Sequence, residues 1–100
     1  MKFVIASDLH GAAPAVRTLS QRIDEEAPDR VLLLGDLLYH GPRNDLPEGY
    51  APKEVLAILN DMAERVIAVR GNCDAEVDQM VLDFPCLSDF YQVWADGHLL

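Results

Sequence analysis

The chain has 100 residues, half of them hydrophobic and a quarter charged, which reads as an ordinary folded domain rather than a disordered or membrane-embedded one. Eight Lys and Arg stand against 17 Asp and Glu, a formal charge of −9, so long nucleic-acid backbones should be repelled and a small anionic substrate would need to be held through metal. The two cysteines, Cys73 and Cys86, match neither a zinc-finger spacing nor a disulfide framework and fit a reducing cytoplasm.

Taken in chain order, the first apolar run is too short for a signal peptide or a membrane span, and Lys2 to Ala6 reads as a buried strand. Pro14 stands where a first helical turn tolerates proline. Val16, Leu19, Ile23 and Ala27 then recur at helical spacing opposite a polar face, until Pro28 closes the helix. Arg30 to Leu34 is apolar after its first residue, as expected where helices cover both faces of a parallel sheet. A long stretch from Leu37 to Ala51 carries Gly41, Pro42, Pro47 and Gly49, and loops of this length inside a compact domain are usually functional or disordered. Pro52 opens a second helix with Val55, Leu56, Ile58, Leu59 and Met62 on its apolar side. Arg65 to Val69 reads as a third strand, and Ala75 to Leu82 as a short third helix capped by Asp74. Asp96-Gly97, between Tyr91–Ala95 and His98–Leu100, favours a type I′ hairpin turn. The expected fold is α/β: a βαβαβα open sheet with a C-terminal hairpin, in one domain spanning 1–100. The last strand is short for its partner and would leave an apolar edge, so the sequence is expected to be the N-terminal part of a longer domain.

Each of the three parallel strands ends in a short polar cluster: Ser7-Asp8-Leu9-His10, Gly35-Asp36 and Gly71-Asn72-Cys73-Asp74. The carboxyl ends of parallel strands share one edge of an open sheet, which brings Asp8, His10, Asp36 and Asn72 to a common crevice. Two carboxylates, an imidazole and an amide oxygen make a hard, mixed O/N ligand set suited to manganese or iron and, less selectively, zinc. Taken singly, Asp8 reads better as a helix-start or turn residue and Asp36 as the start of a loop, His10 more often as a surface or hydrogen-bonded histidine, and Asn72 nearly as well as a turn residue; jointly these readings lose to a metal site. Cys73 reads as a small buried spacer and Cys86 as packing. On the long loop, Arg43 could grip phosphate oxygens in a bidentate manner or pair with Asp45 or Glu48, and His40 stands beside it as a second substrate candidate.

The three clusters, in this order and at strand ends, resemble the first three motifs of the calcineurin-like metallophosphoesterases. The runs Ala6 to Gly11, His40 to Asn44, Leu46 to Pro52 and Val66 to Asn72 resemble the small bacterial YfcE-like phosphodiesterases, and the resemblance covers essentially all 100 residues. It implies that the chain supplies the N-terminal half of a metallophosphoesterase α/β sandwich, and that a hydroxide bridging two divalent metals, Mn first with Fe or Zn as alternatives, hydrolyses a small phosphodiester. By the resemblance Asp8 and His10 bind the first metal, Asp36 bridges both and Asn72 binds the second, with Asp36 and His10 as the catalytic residues. The family completes its metal pair with a further His and a Gly-His-Thr-His motif; neither occurs in this sequence, and His98, followed by Leu99-Leu100, is not assigned as a ligand.

Where the wider superfamily often has a His after the Asn, this chain and the YfcE-like branch have Cys, at Cys73 here. Protonation of the leaving group then has no evident donor, which favours good leaving groups such as activated aryl phosphodiesters. Two rivals come from other classes: a non-catalytic scaffold of the same fold that works by protein binding, and a mononuclear metal-binding fragment without turnover. No membrane partner is expected, and homo-oligomerisation stays open.

Overall fold

The computed structural model describes residues 1–42 and 44–100. Three parallel strands, β1 (Phe3–Ala6), β2 (Arg30–Leu33) and β3 (Val66–Ala68), lie in the order β1-β2-β3. Between them run α1 (Ala13–Glu26) and α2 (Pro52–Asp61), the latter followed by a 3₁₀ turn at Ala63–Arg65. A short α3 (Glu76–Val81) and a separate antiparallel hairpin, β4 (Trp94–Ala95) and β5 (His98–Leu99), complete the chain. Each element forms where its periodicity predicts it, with ends trimmed by one or more residues; the hairpin turn at Asp96 and Gly97 has φ of 52° and 82°, as a type I′ turn requires.

Helix α1 begins with Pro14 in its first turn, where the missing N–H costs nothing, and stops at Ala27. Ala27 turns left-handed with φ 45°, and its N–H still reaches the Ile23 carbonyl at 2.9 Å. Val16 and Ile23 of α1 and Val55 and Leu59 of α2 are buried against Val31, Leu33 and Ala68 of the sheet. Each of these Val, Leu and Ile side chains contributes about 1.5–3 kcal/mol on leaving water. Arg17 and Glu54 form an ion pair that ties the two helices together across their exposed rims.

One expectation is corrected. The apolar strand at residues 30–34 suggested helices on both faces of the sheet, yet α1 and α2 pack against each other and so share one face. The strand order explains this: two successive right-handed crossovers that advance in the same direction place both helices on the same side. The other face is apolar, with Ile5 and Leu34 exposed and Leu32, Ile67 and Val69 lining a cleft together with Tyr91, Val93 and Leu100. Among the described residues no helix is long and apolar enough to cross a membrane.

The register sets up the site. Ala6, Leu33 and Ala68 stand abreast at the strand ends, so the three polar clusters emerge side by side.

Candidate metal centre

Beyond Ala6 the chain remains bonded to the segment after β2: Asp8 N–H donates to the Gly35 carbonyl at 3.1 Å, His10 N–H to Asp36 at 2.8 Å, and Gly11 N–H to Leu37 at 3.0 Å. Asp8, His10 and Asp36 all have positive φ, of 58°, 47° and 56°. Left-handed backbone costs a non-glycine residue about 1 kcal/mol or more, and such residues cluster at functional sites. Here the strain aims three polar side chains at one another, and the cross-loop hydrogen bonds keep the backbone in that form.

The loops approach so closely that two positions admit only glycine. A Cβ on Gly35, whose φ is 100°, would lie 2.2 Å from the Gly71 nitrogen, and a Cβ on Gly71 would lie 2.3 Å from Asp36 Oδ1.

His10 is fixed from both ends. Its Nδ1 lies 2.9 Å from the Tyr39 carbonyl, which can only accept, so that nitrogen carries the proton and Nε2 is left as the ligand atom. Nε2 faces Asp8 Oδ1 at 3.3 Å and Asp36 Oδ2 at 3.8 Å. The bond to Tyr39, together with the two carboxylates, holds the His10 pKa above its ordinary value despite partial burial. Asp8 is pushed the other way: the Ser7 hydroxyl, 2.7 Å from Oδ2, stabilises the ionised carboxylate and lowers its pKa, with His10 adding to the effect.

Asp36 is buried, and its Oδ1 accepts the Cys73 N–H at 2.7 Å. The Asn72 amide lies directly against the same carboxylate. With its nitrogen turned inward, the amide donates to Oδ2 at 2.6 Å and Oδ1 at 3.1 Å. With its oxygen inward, two oxygens meet at a distance that only an intervening cation makes favourable. Neither Asp8 nor Asp36 pairs with a Lys or Arg among the described residues. A buried carboxylate, an exposed one, an imidazole lone pair aimed between them and an amide that can turn its oxygen inward together fit a divalent cation.

Cys73 is half-buried, and its sulfur, one His10 nitrogen and one Asp36 oxygen all lie within 4.8 Å of one another. Loss of water contact and the neighbouring carboxylates of Asp36, Asp74 and Asp8 raise its pKa, so it stands beside the carboxylates as a neutral thiol. Cys86 is fully buried, as its packing role required, with its thiol pushed up to about 11 by burial.

Asp74 corrects the sequence reading. It does not cap α3: Ala75 occupies the cap position, and its N–H is taken by the Asp78 carboxylate at 3.0 Å. The Asp74 carboxylate is instead buried between two loops, accepting the N–H groups of Asp36 at 2.8 Å, Gly71 at 2.6 Å and Leu37 at 3.1 Å. It is the clamp that holds Asp36 against the Asn72 loop. Its place three residues after Gly71 hints at a turn-closing carboxylate, but the bonds to Asp36 and Leu37 span 38 and 37 residues and carry no local signal.

Of the two substrate candidates, His40 has its ring edge-on to Tyr39 and Tyr50, with centroids 4.8 and 5.3 Å away. Its Nδ1 is buried without a hydrogen-bond partner among the described residues. Arg43 lies outside the described residues.

The strand-end carboxylates, the imidazole and the glycine-tight loops form a candidate metal centre on an α/β fold, and comparison with known proteins places the chain. The calcineurin-like phosphoesterase family matches residues 1–98, and the chain belongs to that family. It is 52% identical over 93 residues, 93% of this chain and 50% of the relative, to Phosphodiesterase YfcE of Escherichia coli strain K12. The same values hold for Phosphodiesterase YfcE of E. coli O157:H7. A solved structure of YfcE, described as a phosphoesterase from E. coli, superposes with a TM-score of 0.96 at 48% identity, covering 99% of this chain and 54% of that one. The chain thus spans about half the length of the curated relatives it matches.

Proposed function

We propose that this chain provides metal ligands of a metal-dependent phosphodiesterase acting on small phosphodiesters. The observation that carries the reading is the convergence of Asp8, His10, Asp36 and Asn72 at one sheet edge, the first three on left-handed backbone held by cross-loop bonds. The relatives named Phosphodiesterase YfcE give the reading its reaction class.

Asp8 and His10 would hold one divalent cation, Asp36 would bridge to a second, and Asn72 would offer that second cation a neutral oxygen. Mn²⁺ suits this oxygen-rich set best, with Fe or Zn as alternatives. Divalent cations held by these residues would supply Lewis acidity toward the phosphoryl oxygens and would acidify water for attack. The residues of this chain do the positioning. Tyr39 fixes the His10 tautomer, Cys73 N–H and Asp74 fix Asp36, and the Asn72 amide adds no negative charge to repel the substrate. Arg43 is proposed to grip phosphoryl oxygens, while His40, packed between two tyrosines, steadies the wall beside them. The Cys73 thiol is neutral and poorly acidic, so departure of the leaving group relies on that group's own stability. The free cysteines Cys73 and Cys86 support a cytoplasmic location for the protein.

The test is hydrolysis of bis(4-nitrophenyl) phosphate by the whole protein with added Mn²⁺. Activity should rise with Mn²⁺ and disappear with EDTA, and Cys73→Ser should retain most of it. Turnover that survives exhaustive chelation would refute the reading, and metal binding lost in Cys73→Ser would refute the ligand set.

A further inference from the structure

Cys73 lies on the wall of a cleft of about 490 Å³ that Asn72 and Gly41 also line, so its side chain borders the same space as the proposed metal ligands. Gly41 leaves the sulfur room: a Cβ there, at φ 94°, would come within 3.3 Å of it. The sulfur, a His10 nitrogen and an Asp36 oxygen all lie within 4.8 Å of one another, and His10 Nε2 stands 3.8 Å from Asp36 Oδ2. Around a tetrahedral zinc ion, bonds of about 2.0–2.3 Å put neighbouring donors roughly 3.4–3.6 Å apart, so a closure of about 1 Å brings this trio into place.

The donors are held from behind. The Tyr39 carbonyl leaves His10 Nε2 as the free ring nitrogen. The Cys73 N–H donates to Asp36 Oδ1 at 2.7 Å, which ties the cysteine to the carboxylate it would share a cation with. On the other side of the imidazole, Asp8 Oδ1 is 3.3 Å from Nε2. His10 and Asp36 therefore have two neighbours that can supply a third donor, and the two differ in chemistry. The Asp8 carboxylate suits Mn²⁺, whereas a thiolate selects softer ions such as Zn²⁺.

We infer that Cys73, His10 and Asp36 form a second coordination mode of this site, one that selects thiophilic cations. The inference rests on the metal reading of His10 and Asp36 and adds a sulfur donor to it. As the zinc–sulfur bond forms, the thiol proton passes to solvent and a water leaves the ion. Zn²⁺ held in this way takes both donors that Mn²⁺ shares with Asp8, so the two cations exclude each other. Cys73 sets how strongly zinc wins.

The test uses the whole protein and its Cys73→Ser variant, which keeps the backbone N–H to Asp36. Co²⁺ serves as a spectroscopic stand-in for zinc, and calorimetry gives the Zn²⁺ and Mn²⁺ affinities. Wild type loaded with Co²⁺ should show the near-ultraviolet charge-transfer band of a cobalt–thiolate bond, and Cys73→Ser should lack it. Zn²⁺ affinity should fall about tenfold or more in the variant, while Mn²⁺ affinity stays within about twofold. A wild-type spectrum without the band, a band that survives in Cys73→Ser, or an unchanged ratio of the two affinities would overturn the inference, while Mn²⁺ binding by the wild type kept the metal reading intact. Binding of neither cation to the wild type would overturn that reading and the inference with it.

Discussion

The two carboxylates proposed as metal ligands reach the site in opposite ways. Asp36 is 5% exposed and tied at several atoms: its N–H to Asp74, its carbonyl to His10 and its Oδ1 to Cys73. The Asp8 side chain is 63% exposed, and among the described residues its carboxylate bonds to the Ser7 hydroxyl and His10. Both sit on left-handed backbone, with φ of 56° and 58°. The contrast shows a half of the site built into the protein, from the second and third loops, and a half presented to solvent, from the first. Preorganisation should therefore matter most around Asp36, whereas water can partly stand in for Asp8.

The largest effect should come from Asp36→Asn, which weakens both proposed metal positions and leaves an amide against the Cys73 N–H. Phosphodiester turnover should fall by about a thousandfold or more, the equivalent of several kcal/mol of lost charge stabilisation. Steady-state kinetics at saturating Mn²⁺ measures it. Asp8→Asn keeps an oxygen in place on a hydrated surface, so its loss should be nearer a hundredfold and should recover in part at higher Mn²⁺. Losses that match between the two variants at every metal concentration would erase the distinction between the built-in and the presented half.

Asp74→Asn tests the clamp without touching a ligand. One amide cannot accept from both Oδ positions, so an N–H at Asp36 or Leu37 loses its partner, at a cost of about 1–3 kcal/mol in stability. Metal affinity should fall about ten- to a hundredfold, the usual range for residues that orient ligands. Chemical denaturation and metal titration of the same variant read the two effects. The smallest change should come from Ser7→Ala. The hydroxyl favours ionised Asp8, so removing it moves the Asp8 pKa up toward that of an ordinary carboxylate. At neutral pH Asp8 is ionised with or without it, and turnover should change less than about threefold. The deficit should widen only as the pH falls toward the Asp8 pKa, which a pH–rate profile of wild type and variant will show.

The convergence of these residues was legible because an open parallel sheet translates a sequence pattern into a place. Apolar runs that stop at Asp8, Asp36 and Asn72 become neighbours once Ala6, Leu33 and Ala68 stand abreast. Local signals also placed α1, α2 and the Asp96-Gly97 turn. What was not legible depended on contacts distant in sequence. The role of Asp74 arises only when loops 37 and 38 residues apart meet, while its position just before a helix suggested a cap. The side of the sheet taken by the helices follows from strand order, which the apolar strand at residues 30–34 does not encode. The left-handed backbone at His10 and the packing of His40 between tyrosines are likewise products of the assembled loops.

The central claim is that Asp36 organises a cation site with Asp8 and His10, and the most direct measurement is a calorimetric titration of this 100-residue chain and its Asp36→Asn variant with Mn²⁺. Asp8, His10 and Asp36 offer one cation three ligands, whereas a second would have only Asp36 and Asn72. The account predicts saturable binding of about one equivalent, a number set by that ligand count, and its loss in the variant. Mn²⁺ binding of the same affinity in Asp36→Asn, or none in the wild-type chain, would contradict it.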